Sequence, residues 1–264
     1  MATPIFQRDG DRIVPTALAR GPWDPGQCHG GAPAALLAAT VDAMPSLVPM
    51  QGVRLSYDLL RPVPLAPLRL QTAVVREGKR VQLAEAWLTD DDGTELMRCR
   101  ALRLRIGDVD LPDGDVGPNE AVPTPSPDHL PRLERLAGWQ AEGFWLAVDV
   151  RMVDGMLGEP GPGTAWFRVE APLLDGLELT PLARVAATAD FGNGISSPLP
   201  MGPFLFVNPD LTVHLDRLPA GEWIAMASTS VARTTGSGLA TSRLYDMDGR
   251  IGLAAQSLFV AGTT

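Results

Sequence analysis

Residues 186–194 read AATADFGNG, and this stretch decides how the rest of the chain is interpreted. It lies at the end of a predicted helix that begins near Leu179, and Asp190 is its acidic residue. Residues 38–42 (AATVD) repeat the pattern Ala-Ala-Thr-x-Asp 148 residues earlier, where the Ala- and Leu-rich run is also helical by propensity. A helix that occurs twice and ends each time in an aspartate predicts two copies of one fold.

Turns and charged residues of the two halves recur at one fixed spacing. Three pairs share an offset of 156 residues: Arg61 with Arg217, Asp92-Gly93 with Asp248-Gly249, and Arg100 with Gln256. The helix aspartates Asp42 and Asp190 are 148 residues apart, which implies a connection eight residues longer after the second helix. Such a constant offset along the strands indicates an internal duplication.

Each half is predicted to contain two strands, one long apolar helix and then four strands. Residues 8–11 place an Asp-Gly step at a hairpin turn, and period-two alternation marks strands with one buried face. The helices are predicted over 34–41, after Pro33 in the first turn, and over 179–190. The remaining strands are predicted over 52–61, 68–76, 80–89, 95–105, 144–153, 164–169, 207–215, 222–233, 239–246 and 252–260.

A helix that is apolar on nearly all sides must be buried, and a curled sheet can bury it. An antiparallel sheet around a central helix is the hotdog arrangement. The predicted fold class is therefore α+β, a double hotdog with two antiparallel sheets, each wrapped around a long central helix. The predicted domains are an N-terminal hotdog over 1–106, a Pro- and Asp-rich linker over 107–131, and a C-terminal hotdog over 132–264.

Composition excludes several classes of protein. The net charge of −9 disfavours a nucleic-acid-binding face, which needs clustered basic residues. No window reaches the roughly 18 apolar residues of a membrane span, and no secretory pattern opens the chain, so a cytoplasmic location is expected. Cys28 and Cys99 are expected to be free thiols. The acidic runs at 90–92 and 108–115 lack His and Cys, so no metal site is predicted.

Several motifs together resemble the acyl-CoA thioesterase-like proteins of the type II, double-hotdog kind. They follow one another in the family's order and cover nearly the whole chain except the linker. The residues that carry the resemblance are 21–24 (GPWD), 29–37 (HGGAPAALL), 60–62 (LRP), 208–215 (NPDLTVHL), 221–223 (GEW) and 244–250 (LYDMDGR) through Gln256.

The resemblance implies hydrolysis of acyl-CoA thioesters in the second hotdog, where an Asp, a Ser or Thr, and a Gln hold the hydrolytic water. The Asp position matches Asp190 and the Gln position matches Gln256. The Ser/Thr position, counted back from Arg217, falls on Asn208, which departs from the family pattern. Thr212 is a neighbouring hydroxyl that would share a strand face with Asn208. No metal or redox cofactor is expected, since coenzyme A enters only as part of the substrate.

The chemistry of these residue types fits thioester hydrolysis. A carboxylate can act as general base toward a water, and amide side chains can orient that water without adding charge. The developing oxyanion needs fixed donors, which the N–H groups at a helix N-terminus can supply. His29, Gly30 and Gly31 begin the first helix, and in paired hotdogs they are expected to complete the site around Asp190.

The equivalent positions of the first copy are Asp42, Gly52 and Arg100. An aspartate with an arginine and no amide predicts a structural ion pair, so the working site is assigned to the second half.

Two other functions stay open at this stage. Asp24 and His29 have the Asp-x4-His spacing of hotdog enoyl-thioester hydratases, although the residues between them match that motif poorly. A catalytically silent acyl- or CoA-binding protein would explain the missing hydroxyl at Asn208. The sequence also leaves open the acyl chain length, the choice between coenzyme A and acyl-carrier protein, and whether double hotdogs assemble into a homo-oligomer.

Overall fold

The computed structural model of the protein describes residues 3–112, 114, 116–117, 120–134, 143–200 and 202–263. Parts of the predicted linker and of the start of the predicted C-terminal domain lie outside these ranges, so the domain boundaries stay predictions.

The first half forms two strands, a long helix and four further strands, in the predicted order. β1 (Phe6–Asp9) and β2 (Arg12–Pro15) make a hairpin whose turn contains Gly10 at φ 61°, a left-handed conformation that suits glycine. The other elements are α1 (Gly31–Asp42), β3 (Met50–Leu59), β4 (Leu68–Arg76), β5 (Val81–Thr89) and β6 (Glu95–Arg105). Ten of the twelve α1 residues are buried, as its apolar composition predicts.

The second half repeats this plan with additional short elements. The strands are β7 (Val148–Asp154), β8 (Gly163–Val169), β9 (Phe204–Val207), β10 (Asp210–Leu215), β11 (Ile224–Ala232), β12 (Ser237–Asp246) and β13 (Gly249–Gly262). The helices are α2 (Phe144–Ala147), α3 (Pro181–Ala189) and α4 (Gly192–Ile195). β4 and β11 begin and end 156 residues apart, so the offset found in the sequence recurs in the strands.

Two predicted strands are wrong in part. Residues 144–147 form a helical turn, because this turn places Phe144 and Ala147 together in the core while Leu146 faces solvent. The predicted strand 207–215 is interrupted at Asn208 and Pro209, between β9 and β10. A proline has no N–H to donate to a strand ladder, which accounts for the break.

The prediction of two separate sheets is also wrong, because the halves share one antiparallel sheet. The strand order is β1-β2-β4-β5-β6-β3-β10-β13-β12-β11-β8-β7, with β9 beside β13. The order of the second half mirrors that of the first, and the halves join where β3 pairs with β10. The pair Ser56–Thr212 lies at the middle of that junction, and its members are themselves 156 residues apart. The sheet therefore has an approximate twofold axis between the copies.

The helices of the two halves also pack on each other. α1 contacts β3, β5 and β6 of its own half, α3 contacts β8, β10 and β11, and α1 and α3 contact one another. The N-terminus of α1 lies against the C-terminal turn of α3, where a Cβ built on Gly31 would stand 2.5 Å from the Ala187 carbonyl oxygen. This close approach brings the end of one copy's helix to the start of the other's. Of the described helices, none combines the length and apolar character required to cross a membrane.

The described part of the linker crosses the outer face of the second half. The Trp166 indole donates to the Pro125 carbonyl at 3.2 Å, and the Arg151 guanidinium donates to the Pro127 carbonyl at 2.6 Å. Glu120 accepts from Tyr245 at 3.0 Å and from Arg250 at 2.9 Å. These contacts cover a small apolar cluster around Trp166, away from the helices.

Candidate active site

Asp190 occupies the point where the two helices meet. It is the C-cap residue of α3, and its side chain is 8% exposed. Its Oδ2 lies 3.1 Å from His29 Nδ1, and its Oδ1 accepts from Asn208 Nδ2 at 3.0 Å. A Cβ built on Gly30 would stand 2.8 Å from the same carboxylate, so only glycine leaves room for it there. The carboxylate of the second copy therefore sits on the N-terminus of the first copy's helix, where the helix dipole favours a negative charge.

These surroundings keep Asp190 ionised. Burial by itself favours the neutral acid, but the hydrogen bond and charge of His29 and the hydrogen bonds of Asn208 and the Gly31 N–H outweigh it. Together they hold the pKa of Asp190 below its ordinary value. The group is thus a carboxylate at any physiological pH, and it is a weaker base than an exposed aspartate.

Both halves line one pocket around this carboxylate. Its volume is about 330 Å³, within the range of small-molecule sites. The first half contributes residues from two loops, and the second half contributes the α3–α4 turn and the β9–β10 connection. The lining residues are Pro22, Trp23, Gln27, Cys28, His29, Gly30, Pro33, residues 59–63, Met97, Leu157, Asp190, Phe191, Asn193, Gly194 and residues 206–209.

His29 is held by contacts with two aromatic rings. Its ring centroid lies 5.1 Å from that of Phe144 and 4.5 Å from that of Phe191, and these two rings also contact each other, with centroids 6.0 Å apart. The Gly31 N–H is 3.0 Å from His29 Nδ1, and Ala32 N–H donates to the His29 carbonyl at 3.0 Å. The structure thus places His29 and Gly30 beside Asp190. Gly31 lies beneath them at the contact between α1 and α3, outside the pocket lining.

Gln256 lies close behind the site. It is 2% exposed, and its Oε1 accepts from the Asn193 N–H at 3.1 Å, in the turn that follows Asp190. Its buried Nε2 has no hydrogen-bond partner among the described residues. Among the described residues, Gln256 forms no hydrogen bond with Asp190 or Asn208, and it lies outside the pocket lining. The structure therefore brings Asp190 and Asn208 together and connects Gln256 to them through the turn at Asn193.

Thr212 lies away from this pocket. Leu211 and Val213 on either side of it point into the core, so Thr212 faces the other side of the sheet, at the junction with Ser56. The expected shared face with Asn208 does not exist, because Asn208 precedes β10 rather than belonging to it. The predicted shared face required one continuous strand over 207–215, and the chain is instead interrupted at Pro209.

The ion pair expected in the first copy is wrong. Arg100 binds Glu85 at 2.5 Å, and the cation beside Asp42 is Arg103, whose guanidinium donates to the Asp42 backbone carbonyl at 3.3 Å. Gly52, opposite Asn208 in the alignment of the copies, packs against Leu182 of α3. The first copy therefore contains an apolar contact where the second copy has an amide.

The hydratase interpretation requires Asp24 and His29 to act together. Asp24 Oδ1 instead accepts from the Gly26 N–H at 2.7 Å within an exposed turn, and Asp24 is not part of the pocket lining. His29 turns toward Asp190. The Asp-x4-His spacing is present in the sequence, but the side chains of Asp24 and His29 contact different groups.

Cys28 lines the pocket as a free thiol, and Cys99 is also unbonded. Burial raises the pKa of Cys28 to about 12, so the neutral thiol rather than the nucleophilic thiolate is present near neutral pH. We expect Cys28→Ala to retain most of the turnover of the unmodified protein, measured as free thiol released from an acyl-CoA. A large loss of turnover in a variant with an unchanged circular dichroism spectrum would instead indicate a covalent mechanism.

Sequence reasoning missed the role of Phe191 and the mouth of the pocket. Phe191 directly follows Asp190, and its ring packs against His29. The sequence AATADFGNG includes Phe191 but does not indicate this contact. Trp23 lines the pocket while 58% exposed, edge-on to Phe206 with ring centroids 6.4 Å apart.

Each half of the chain matches a protein-family model. The model of the acyl-CoA thioesterase N-terminal domain matches residues 19–104, and the model of the C-terminal domain matches residues 118–260. No curated protein sequence matches the chain.

Solved structures show the same fold over nearly the full length. A candidate thioesterase from Novosphingobium aromaticivorans is 23% identical, with a TM-score of 0.71 over 98% of this chain and 99% of that one. A protein with the hotdog fold from Alicyclobacillus acidocaldarius is 17% identical, with a TM-score of 0.72 over 98% and 96%. The acyl-CoA thioesterase II TesB2 from Mycobacterium marinum is 16% identical, with a TM-score of 0.65 over 98% and 94%. The fold is thus of the hotdog type.

Proposed function

The chain belongs to the acyl-CoA thioesterase family, and from this premise we propose that Asp190 activates the water with which it hydrolyses acyl-CoA thioesters. The observation that carries the assignment to Asp190 is a buried, ionised carboxylate in a pocket that residues of both halves line. Family membership favours hydrolysis over silent binding of an acyl-CoA.

The proposed reaction needs only water as co-reactant. Asp190 accepts a proton from a water as that water's oxygen attacks the thioester carbonyl carbon. The C–S bond of the tetrahedral intermediate then breaks, the carboxylic acid leaves, and the coenzyme A sulfur takes up the proton that Asp190 had accepted, which regenerates the carboxylate. The low basicity of Asp190 is compensated by its position, because a fixed carboxylate can hold the attacking water next to a bound thioester. The balance of this reaction requires neither a metal nor a redox cofactor.

Asn208 is proposed to orient the carboxylate and the water. Its Nδ2–H bond to Asp190 Oδ1 holds one carboxylate oxygen, and its own Oδ1 remains an acceptor on the pocket wall. An amide can therefore fill the position at which the family uses a hydroxyl, although it cannot relay a proton as a hydroxyl can.

Gln256 is proposed to contribute a donor to the same water. Its Oε1 is held by Asn193, which fixes the direction of the side chain, and its buried Nε2 is left with donor capacity that the described residues do not use. A buried amide without a partner is costly, so a bound water would stabilise it.

For the oxyanion we propose a smaller set of donors than the sequence indicated. Gly31 N–H points at His29 and Asp190, and Ala32 N–H bonds to the His29 carbonyl. Among the described first-turn groups, Gly30 N–H is the donor that these contacts leave for a substrate oxygen. We therefore propose Gly30 as the oxyanion donor, and His29 as the residue that positions Asp190.

A direct test is a panel of acyl-CoAs of increasing chain length, assayed by detection of free thiol. Turnover of at least one member supports the proposed function. Binding without any thiol release would favour a silent binder, and hydration of a 2-enoyl-CoA without thiol release would favour the hydratase alternative.

Removal of the Asn208 amide should shift the pH dependence of the rate. In Asn208→Ala, Asp190 loses a hydrogen bond that favours its ionised form, so the pKa of Asp190 should rise. The base is active when ionised, and its contribution is lost as pH falls through that pKa. The acid limb of kcat should therefore lie at higher pH in Asn208→Ala than in the unmodified protein, in parallel pH–rate profiles. An acid limb that does not move would mean that the base is a different group.

A further inference from the structure

The internal duplication provides a comparison for one pocket residue, Arg61. Its equivalent in the second copy, Arg217, forms a two-bond ion pair with Asp246, with Nη2 and Oδ1 2.6 Å apart. Asp246 is fully buried and also accepts from the N–H groups of Asp248 and Gly249. In this copy the arginine is a structural element of the turn.

The first copy keeps both residue types but not the pair. Asp90, equivalent to Asp246, accepts from the N–H groups of Asp92 and Thr94 at 3.0 and 2.8 Å. Arg61 has no ion pair or side-chain hydrogen bond among the described residues, and its side chain is exposed. Its backbone is nevertheless fixed, since Arg61 N–H donates to the Leu96 carbonyl at 3.0 Å. The duplication thus leaves one arginine without its carboxylate.

Arg61 lines the pocket that contains Asp190. The loop that carries it is held against residues 26–28: Cys28 N–H donates to the Val63 carbonyl at 2.8 Å, and Leu65 N–H donates to the Gly26 carbonyl at 2.8 Å. Trp23, which is 58% exposed, also lines this pocket. The mouth therefore presents a cation and an aromatic ring on firmly attached loops.

We propose that Arg61 binds a phosphate group of the coenzyme A portion of the substrate at the mouth of this pocket. The proposal rests on the proposed thioesterase function. Coenzyme A carries several phosphate charges, and the chain as a whole is negative, with 31 acidic and 22 basic residues, so a local cation is required to attract it. A guanidinium matches phosphate oxygens with two parallel hydrogen bonds. The Trp23 ring offers a surface for the adenine ring beside it.

The test compares substrates with and without phosphate. For Arg61→Met, we expect KM for octanoyl-CoA to rise about five- to tenfold with kcat nearly unchanged, the scale of one partly exposed charge-assisted hydrogen bond. KM for octanoyl-pantetheine, which has no phosphate, should stay the same. The difference should shrink at high salt because exposed charges are screened. Arg233→Met removes an equally exposed arginine from the β11–β12 turn, outside the pocket lining, and should change neither KM.

The outcomes separate the two proposals. Equal changes of KM for both substrates would overturn the phosphate contact and indicate a role of Arg61 in the fold of the loop. An effect seen with octanoyl-acyl-carrier protein but not with octanoyl-CoA would overturn coenzyme A as the ligand. Turnover of octanoyl-CoA by the unmodified protein with no effect of Arg61→Met refutes only the phosphate contact. A lack of turnover of every acyl thioester refutes the proposed function itself.

Discussion

Asp190→Asn is expected to lower kcat for acyl-CoA hydrolysis by about 100-fold or more, the usual scale for loss of a general base. Asparagine has nearly the same shape and can still accept from Asn208, but it cannot take the proton of the attacking water. Since the substrate does not depend on this proton transfer to bind, KM should change much less than kcat. The measurement is steady-state release of free thiol, with circular dichroism to verify the fold.

The duplication supplies a matched control for this substitution. Asp42 ends α1 as Asp190 ends α3, but Asp42 lies near Arg103 and outside the pocket lining. Asp42→Asn should therefore leave kcat nearly unchanged and act, if at all, on the free energy of unfolding. If Asp42→Asn abolishes turnover while Asp190→Asn does not, the site has been assigned to the wrong copy. If neither matters and Asp24→Asn does, the hydratase chemistry is correct.

Gly31→Ala is expected to be the most damaging conservative substitution at the junction of the helices. The new Cβ would stand 2.5 Å from the Ala187 carbonyl oxygen, 3.0 Å from the Phe144 ring and 3.2 Å from His29 Nδ1. The carbonyl belongs to helix backbone and cannot move alone, so α1 and α3 must separate. Overpacking of this kind costs about 1–3 kcal/mol of the free energy of unfolding. Because His29 and Asp190 lie at the same contact, kcat should fall as well.

The measurement for Gly31→Ala is chemical denaturation alongside the thiol-release assay. Gly117→Ala is the control, because a Cβ on Gly117 meets nothing within 4 Å, and exposed substitutions of this kind stay within about 0.5 kcal/mol. Unchanged stability of Gly31→Ala would mean that the helices are not held as closely as the Ala187 contact indicates. Reduced stability with full activity would mean that His29 is not required to position Asp190.

Local patterns in the sequence predicted the repeating elements well. The strand bounds 68–76 and 95–105 match β4 and β6 residue for residue, because period-two alternation and Asp-Gly turns are properties of neighbouring residues. The buried character of α1 followed from composition alone. A proline inside a strand pattern also signals a break, so Pro209 itself argues against the continuous strand predicted over 207–215.

The candidate site depended on contacts that no local pattern contains. Sequence singled out Asp190 through the duplicated helix and the family resemblance, and it paired His29 with either Asp24 or Asp190. Only the packing of α1 against α3 decides between them, by bringing His29 within 3.1 Å of a residue 161 positions away. Likewise, Arg61 and Arg217 are equivalent in sequence, and only the structure shows that one is paired and the other free to bind a ligand in the described chain.

The sequence by itself determined most of the elements, the duplication and the family, and it singled out Asp190 as the candidate acidic residue of the site. Those properties follow from the spacing of apolar residues, from turn-forming glycines and from repeated motifs, which are all recorded along the chain. The tertiary structure alone decided that the copies share one sheet through β3 and β10, and that His29 contacts Asp190 rather than Asp24. The reason is that register and helix packing are set by side chains far apart in sequence, where one bulge, one proline or one glycine changes which surfaces can meet.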